Sequence, residues 1–214
     1  MNKTVKLAFT ALFTALAIVA NTFTIPLTPS NSVSFTIAVS FIAGIYLGAI
    51  PAMAVGFLGD LIGAIIHPMG PYNWFMALSY ALTGLICALV YKLKLPRLLK
   101  LVIAMVIYLI VCSVALNTFG LWLQIIVGVD PSPIGLLQFF AMDKGGIRKS
   151  FWVYLAGRLP FMLINWAVNG VVVAILQQTK AFDRLFAQIN KRTEKRVKSA
   201  PITEQTEEKT EEIN

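Results

Sequence analysis

Charged residues are scarce in this chain of 214 residues: Asp, Glu, Lys and Arg make up 13% of it, whereas hydrophobic residues make up 57%. The mean hydropathy is +0.76. These proportions exclude an ordinary soluble domain, since such domains carry about 25% charged residues. The lipid bilayer is therefore the expected solvent. Lys and Arg outnumber Asp and Glu by 18 to 10, but they lie beside apolar segments, a pattern typical of membrane topology rather than of nucleic-acid binding.

Residue types that carry catalysis or bind metals are also scarce. The chain has one histidine, His67, which we expect at the membrane interface, and two cysteines, Cys87 and Cys112, far apart within apolar segments. This spacing excludes a CxxC-type metal or redox site and predicts two buried thiols. The sequence contains no GxxxxGK[ST], HExxH or GxSxG motif and no pair of acidic residues within the apolar segments. It therefore indicates no catalytic residue, no metal site, no cofactor and no ATP hydrolysis by the chain itself.

Six apolar segments follow one another, over about 5–24, 33–49, 51–66, 74–91, 100–127 and 151–177. Several approach the ~20 residues that cross about 30 Å of hydrocarbon. The second and third are divided only by the turn from Gly48 to Pro51, which favours a tight helical hairpin over one long helix. The sequence thus predicts an all-α integral membrane protein, with a bundle of about six transmembrane helices forming one domain over 1–180.

Basic residues predict the orientation of this bundle. They precede the first segment, link the fourth to the fifth and follow the sixth, at Lys3, Lys6, Lys92, Lys94, Arg97, Lys100, Lys180, Arg184, Lys191, Arg192, Lys195, Arg196 and Lys198. These residues lie on one side if six helices cross, whereas only Lys144, Arg148 and Lys149 fall in a connection on the other side. Basic loops stay in the cytoplasm, so the first side is predicted to be cytoplasmic. Both termini are then cytoplasmic, and the connections 25–32, 67–73 and 128–150 are external. The tail over 181–214 is basic and then acidic, and its last part, from about Ser199, is predicted to be disordered.

Polar residues within apolar segments are costly and are candidates for ligand contacts. In the sixth segment, Arg158, Asn165 and Asn169 recur at i, i+7 and i+11, which places them on one helix face. A guanidinium suits an anionic or carboxylate-bearing ligand, with snorkelling to the headgroups or pairing with an acid as the alternative. In the fifth segment, Asn117 and Gln124 share a face in the same way. Helix packing is the alternative for Asn117.

Two further features stand near the external end of the third segment. The connection that follows it combines turn-forming residues with Tyr72, Asn73 and Trp74. The aromatic rings there are suited either to stacking on a flat heterocycle or to an interfacial girdle. Asp60 is the only acidic residue within an apolar segment. We favour a structural hydrogen bond for its carboxylate over a proton or sodium site, because no second acid accompanies it.

Several strings of the chain resemble one family of membrane proteins over about residues 5–177. They are an AxxxA motif at Ala11 and Ala15, SFT at 34–36, GFLGDLIG at 56–63, PMGPYN at 68–73, LNTFGLWL at 116–123 and RLP at 158–160. Together they are similar to the S component of an energy-coupling factor (ECF) vitamin transporter, which is its membrane-embedded, substrate-binding subunit. They are most similar to the folate-type branch of that family.

The resemblance implies a subunit without catalysis that captures a water-soluble vitamin from outside, in the multi-pass form and plasma-membrane location of a bacterial importer. A folate-type vitamin is the first expectation, and pantothenate and cobalamin are the alternatives. Ala11 and Ala15 would dock on the transmembrane coupling subunit, which works with two ABC ATPases and topples the S component. The pocket residues that the resemblance implies are Tyr72, Asn73, Trp74, Asn117, Gln124, Trp152, Arg158 and Asn165.

Two other classes of function stay open from the residues alone. One is a small intramembrane enzyme acting on a lipid or isoprenoid, against which stands the lack of a nucleophile, a metal cluster or an acid pair. The other is an autonomous proton-coupled carrier, against which stand the single intramembrane acid and the lack of an internal two-fold repeat. Neither alternative calls for a nucleic-acid partner, and none is expected.

Overall fold

The structure is a computed structural model that describes residues 3–28, 31–68, 72–128, 132, 147–180, 182–189 and 191. Most of these residues are helical. The predicted disorder from about Ser199 onward lies outside the described residues. So do most of the predicted external loop over 128–150 and most of the basic and acidic tail.

The six apolar segments form six apolar helices, and a short helix follows them. Their bounds are α1 Lys3–Thr22, α2 Thr36–Leu47, α3 Ala49–Ile66, α4 Trp74–Val90, α5 Arg97–Val127 and α6 Ile147–Gln178, with α7 over 182–189. By length and composition, α1, α3, α5 and α6 can each cross a membrane, whereas α2 and α4 are shorter apolar helices. The chain is therefore a mostly helical membrane protein.

The junction between α2 and α3 confirms the predicted helical hairpin. A single residue, Gly48, separates the two helices, and its φ of 88° lies in the left-handed region. Glycine adopts this region without the steric cost that a Cβ would add. Pro51 lies in the first turn of α3, where its missing N–H costs no helical hydrogen bond. The chain can therefore reverse direction within one residue.

The connection over 25–32 includes two strands that the sequence did not predict. It contains a short antiparallel hairpin of β1, Ile25–Thr28, and β2, Asn31–Val33, in which Ile25 pairs with Val33. Strands of three or four residues are too short for an alternating pattern to reveal them. The all-α expectation therefore needs this one correction, and the hairpin matters because it covers one side of the cavity described below.

Helix α5 is long but not regular. Its turns widen to the i→i+5 pattern of a π-helix over Tyr108–Asn117 and again over Leu123–Val127, on either side of the α-helical stretch Thr118–Trp122. A wider turn changes the rotation per residue. The regular-helix arithmetic that placed Asn117 and Gln124 on one face therefore does not apply to α5. Irregular segments of this kind are frequent at functional sites.

Glycines of α3 let its backbone pack directly against α1 and against α4. A Cβ built on Gly56 of α3 would lie 2.2 Å from the carbonyl oxygen of Tyr80 in α4. A Cβ on Gly59 would lie 2.5 Å from the Cβ of Ala17 in α1. No real side chain fits at either distance, so both contacts require glycine. Small residues that let helices touch are the usual means of association in lipid, where no hydrophobic effect drives helices together.

A buried core joins α2, α4, α5 and α6. Phe41, Tyr108 and Val173 belong to its fully buried members. The two cysteines also lie in this core as free thiols, which confirms the prediction, and the Sγ of Cys87 donates to the carbonyl oxygen of Phe41 at 3.2 Å. The core fixes the four helices relative to each other on the side of the bundle away from α1.

Helix α7 packs against one end of the bundle, which we call the α7 end. The ring of Phe186 lies 4.9 Å from the rings of both Phe9 in α1 and Tyr46 in α2. The carboxylate of Asp183 accepts hydrogen bonds from the hydroxyl of Tyr46 at 2.8 Å and from Arg97, at the start of α5, at 2.6 Å. The bond from Tyr46, followed by the pair with Arg97, holds the pKa of Asp183 below its ordinary value. The start of α1, the end of α2 and the start of α5 thus lie together.

Candidate functional site

A cavity of about 720 Å³ lies at the end of the bundle opposite α7. Its wall combines the last turn of α1, the hairpin, the second half of α3, the start of α4 and the end of α5. This volume is within the roughly 300 to 1,000 Å³ of most small-molecule sites. Apolar side chains and many polar ones share the wall, so the cavity suits a ligand with both flat apolar surface and several hydrogen-bonding groups.

Three of the predicted pocket residues line this cavity: Tyr72, Asn73 and Gln124. The amide of Asn73 serves both neighbouring helices, since its oxygen accepts from the backbone N–H of Phe75 at 3.1 Å and its nitrogen donates to Oε1 of Gln124 at 3.1 Å. The first bond caps α4. The second joins α4 to the widened end of α5. The glycine at position 120 leaves room for this contact, because a Cβ there would lie 2.8 Å from Oδ1 of Asn73.

Three other predicted pocket residues do not belong to the described wall of the cavity. Trp74 is 46% exposed and lies edge-on to the ring of Tyr72, while Trp152 is 67% exposed beside Phe151. Both exposures fit an aromatic girdle at the membrane interface. Asn117 has a buried side-chain oxygen that accepts no hydrogen bond within the part of the chain that the structure describes.

Arg158 is buried and engaged with protein groups. Its Nε donates to Oδ1 of Asn31 at 2.8 Å, and its Nη1 donates to the carbonyl oxygen of Asn117 at 3.3 Å and to the hydroxyl of Thr118 at 3.4 Å. The guanidinium also lies over the ring of Tyr154, 5.6 Å from its centroid. With 7% of its surface exposed, the side chain does not snorkel. It ties the hairpin to α5, and its bond to Asn31 connects it to the cavity wall.

The polar face predicted on α6 is confirmed, and it contacts the segment between β2 and α2. Oδ1 of Asn165 accepts from the backbone N–H of Ser34 at 3.3 Å. Oδ1 of Asn169 accepts from the N–H of Ala38 at 3.1 Å, and its Nδ2 donates to the carbonyl oxygen of Ser34 at 3.0 Å. Asn169 thereby satisfies a first-turn N–H of α2 that would otherwise lack a partner. This face of α6 therefore holds the backbone of Ser34, a residue of the cavity wall, in position.

Replacing Arg158 by alanine should lower the free energy of unfolding by about 2 kcal/mol, because partly buried oxygens of Asn31 and Asn117 and the buried hydroxyl of Thr118 each lose a donor. Thermal unfolding of the purified chain in detergent measures the loss. A matched control is Arg97→Ala, since the side chain of Arg97 is 65% exposed in its pair with Asp183. Loss of an exposed pair costs about 0.5 kcal/mol. Equal effects of the two substitutions would contradict the anchoring role.

Asp60 also lines the cavity, which the sequence did not predict. The structural hydrogen bonds that we favoured are present: Oδ1 accepts from Nδ2 of Asn21 at 3.4 Å, and Oδ2 accepts from the hydroxyl of Tyr72 at 3.2 Å. Asn21 was missed altogether, because no sequence pattern links residues 39 positions apart on different helices. The signal that could have identified Asp60 as a cavity residue is that it is a lone acid in an apolar segment.

One comparison with known proteins identifies a family, and another identifies a similar fold. A family model described as "ECF transporter, substrate-specific component" matches residues 5–177. A search of curated proteins finds no match. Among solved structures, the fold is similar to "Crystal structure of FolT bound with folic acid", with a TM-score of 0.59, 19% sequence identity, and coverage of 81% of this chain and 92% of that chain. Since the family model spans most of the 214 residues, this chain belongs to the family of substrate-specific components of ECF transporters.

Proposed function

We propose that this chain captures a folate-type vitamin from outside the cell and delivers it by docking on an ATP-driven coupling module. The observation that carries the proposal is the cavity of about 720 Å³, which lies at one end of a helical bundle from this family. A cavity at one end of the bundle suits a subunit that holds a small ligand. The similar fold of a protein bound to folic acid supports folate as the first choice.

The proposed orientation places the cavity outside and the α7 end in the cytoplasm, with six crossings. The basic residues that predict a cytoplasmic side include Lys3, Lys6 and Arg97, near the helix ends that meet α7. Basic segments beside membrane helices stay in the cytoplasm. This arrangement puts both termini inside and fits a multi-pass protein of a bacterial plasma membrane.

The proposed docking face is the side of α1 that carries Ala11 and Ala15. Both alanines are exposed, whereas Phe13 and Ala17 of the same helix are buried against the bundle. Small residues on an exposed helix face allow a second helix to approach closely. The proposed partners are the transmembrane coupling subunit and, through it, two ABC ATPases, since the chain has no nucleotide-binding motif.

Within the site, we propose that Tyr72, Asn73 and Gln124, the predicted pocket residues that line the cavity, contact the vitamin. Arg158 and Asn165 are proposed to hold the hairpin and the start of α2 in place, because their contacts are with Asn31 and Ser34. The roles of Trp74, Asn117 and Trp152 in binding stay predictions. The proposal includes no catalytic step.

Uptake of radiolabelled folic acid tests the whole proposal. Cells that produce this chain together with the coupling subunit and both ATPases should accumulate the label, and cells that produce the chain alone should not. Mass spectrometry of the chain purified from cells grown in rich medium identifies the retained vitamin independently. Uptake of equal size without the module would instead indicate an autonomous carrier. Retention of pantothenate or cobalamin would keep the subunit role and replace the substrate.

A further inference from the structure

The carboxylate of Asp60 occupies a particular place in the cavity wall. In the described part of that wall Asp60 is the only acidic residue, and no Lys or Arg is present. Its side chain is 6% exposed, so little water can solvate it. A shielded carboxylate is costly unless donors surround it. When a ligand fills the cavity, this carboxylate therefore requires hydrogen-bond donors from the protein or from the ligand.

Among the described residues, two neutral donors contact the carboxylate of Asp60. Nδ2 of Asn21 donates to Oδ1, and the hydroxyl of Tyr72 donates to Oδ2. An ionised carboxylate offers about four acceptor positions on its two oxygens. The bonds at 3.4 Å and 3.2 Å are long, so they orient the group without saturating it. The remaining acceptor positions are available to a ligand in the cavity.

Three elements fix the position of this carboxylate. Asn21 belongs to α1 and also donates to the backbone oxygen of Asp60 at 3.2 Å. Gly63, one turn further along α3, allows that approach, because a Cβ there would lie 2.5 Å from Nδ2 of Asn21. Tyr72 precedes α4, and its ring lies 5.2 Å from that of Trp74. The carboxylate is therefore held ready before a ligand arrives, which lowers the cost of binding.

The neighbouring groups disfavour a bare cation as the partner of Asp60. Sodium and similar ions require several oxygen ligands at once. Here the amide of Asn21 presents its nitrogen and the hydroxyl of Tyr72 its hydrogen, so both neighbours already act as donors toward the carboxylate. A planar carboxylate instead matches two parallel N–H groups, in the geometry of bidentate pairs. Tyr72 and Tyr80 line the same cavity, so two aromatic residues lie close to a ligand held there.

We propose that Asp60 recognises the ligand by accepting hydrogen bonds from two adjacent N–H groups on the edge of a flat heterocycle. The 2-amino-4-oxo ring of a pterin has such an edge, formed by its ring N–H and its exocyclic amine. This inference rests on the proposed function, and it names the part of a folate-type vitamin that lies against α3. It also makes Asp60 the residue that selects pterins over vitamins without a donor pair.

The test compares two probes on the purified full chain and on Asp60→Asn. The probes are folic acid and its 2-desamino-2-methyl analogue, in which a methyl group replaces the exocyclic amine. The natural chain should bind folic acid about 10- to 100-fold more tightly than the analogue, and Asp60→Asn should weaken folic acid by a similar factor. The variant should then bind the two probes within about twofold of each other, because the contact that distinguished them is lost.

Asp183→Asn is the matched control, since it removes a carboxylate at the α7 end, away from the cavity. It should leave both affinities unchanged. Equal weakening of both probes by Asp60→Asn would make Asp60 a structural residue and overturn the inference. If that variant does not fold, the natural chain still decides, because equal affinity for the two probes would overturn the inference as well.

The outcomes separate this inference from the proposed function. Tight binding of folic acid without discrimination against the analogue overturns the role of Asp60 and leaves a folate-binding subunit. Binding of pantothenate but not of folic acid overturns both the inference and the choice of vitamin, and leaves the subunit role. Uptake of folic acid without the coupling module contradicts the proposed function alone, provided that the discrimination between the probes is observed.

Discussion

Replacing both Ala11 and Ala15 by tryptophan should reduce vitamin uptake to background while leaving vitamin affinity nearly unchanged. Both alanines lie on the exposed side of α1, opposite Phe13 and Ala17. Two indole rings on this side would keep a partner helix from the close approach that small residues permit. The nearest cavity-lining residue described on α1 is Asn21, which lies six residues beyond Ala15, or about 9 Å along the helix axis. Uptake and equilibrium binding, measured on the same variant, separate the two functions.

The control for this prediction is Ala167→Trp. Ala167 is also exposed, but it lies on α6. The substitution adds one of the same large rings to the surface without touching α1, so uptake should persist. If the α1 variant lost vitamin binding, α1 would be part of the pocket rather than a docking face. If it transported normally, the coupling subunit would have to bind elsewhere.

The presence of the six apolar helices could be predicted from the sequence, because it depends on local composition. Each apolar run became a helix, and the bounds moved by a few residues: the third began at Ala49 rather than at position 51, and the fifth at Arg97 rather than at position 100. Gly48 could be predicted as a turn because glycine and proline act on the backbone where they stand. The short hairpin and the widened turns of α5 depend instead on contacts with other elements, so no local pattern revealed them.

The binding site could be predicted only in part, for a related reason. Periodicity identified the polar face of α6, and the structure gives Arg158, Asn165 and Asn169 that common face. Periodicity does not say what covers a face. The hairpin and the start of α2 cover this one, so these side chains contact the backbone and Asn31 instead of opening into the cavity. The sequence placed Asp60 within the third apolar segment. It could not identify the hydrogen-bond partner Asn21, because Asn21 belongs to another helix.

Replacing Gly56 by alanine should lower the free energy of unfolding by about 3 kcal/mol, a large loss for a single methyl group. The added Cβ would lie 2.2 Å from the carbonyl oxygen and 2.6 Å from the carbonyl carbon of Tyr80. Because these atoms belong to the backbone, no side-chain rotation can relieve the overlap, and α3 and α4 must separate. Thermal unfolding in detergent measures the loss.

Gly157→Ala provides the comparison, since a Cβ on Gly157 of α6 meets nothing within 4 Å. There the substitution should stabilise the chain by about 0.5 to 1 kcal/mol, because alanine favours a helix more than glycine does. If both variants unfolded alike, α3 and α4 would not touch at Gly56. A destabilised Gly56→Ala should also bind its vitamin more weakly, because Asp60 lies one turn beyond Gly56 on α3, and Asn73 caps the helix that α3 would push away.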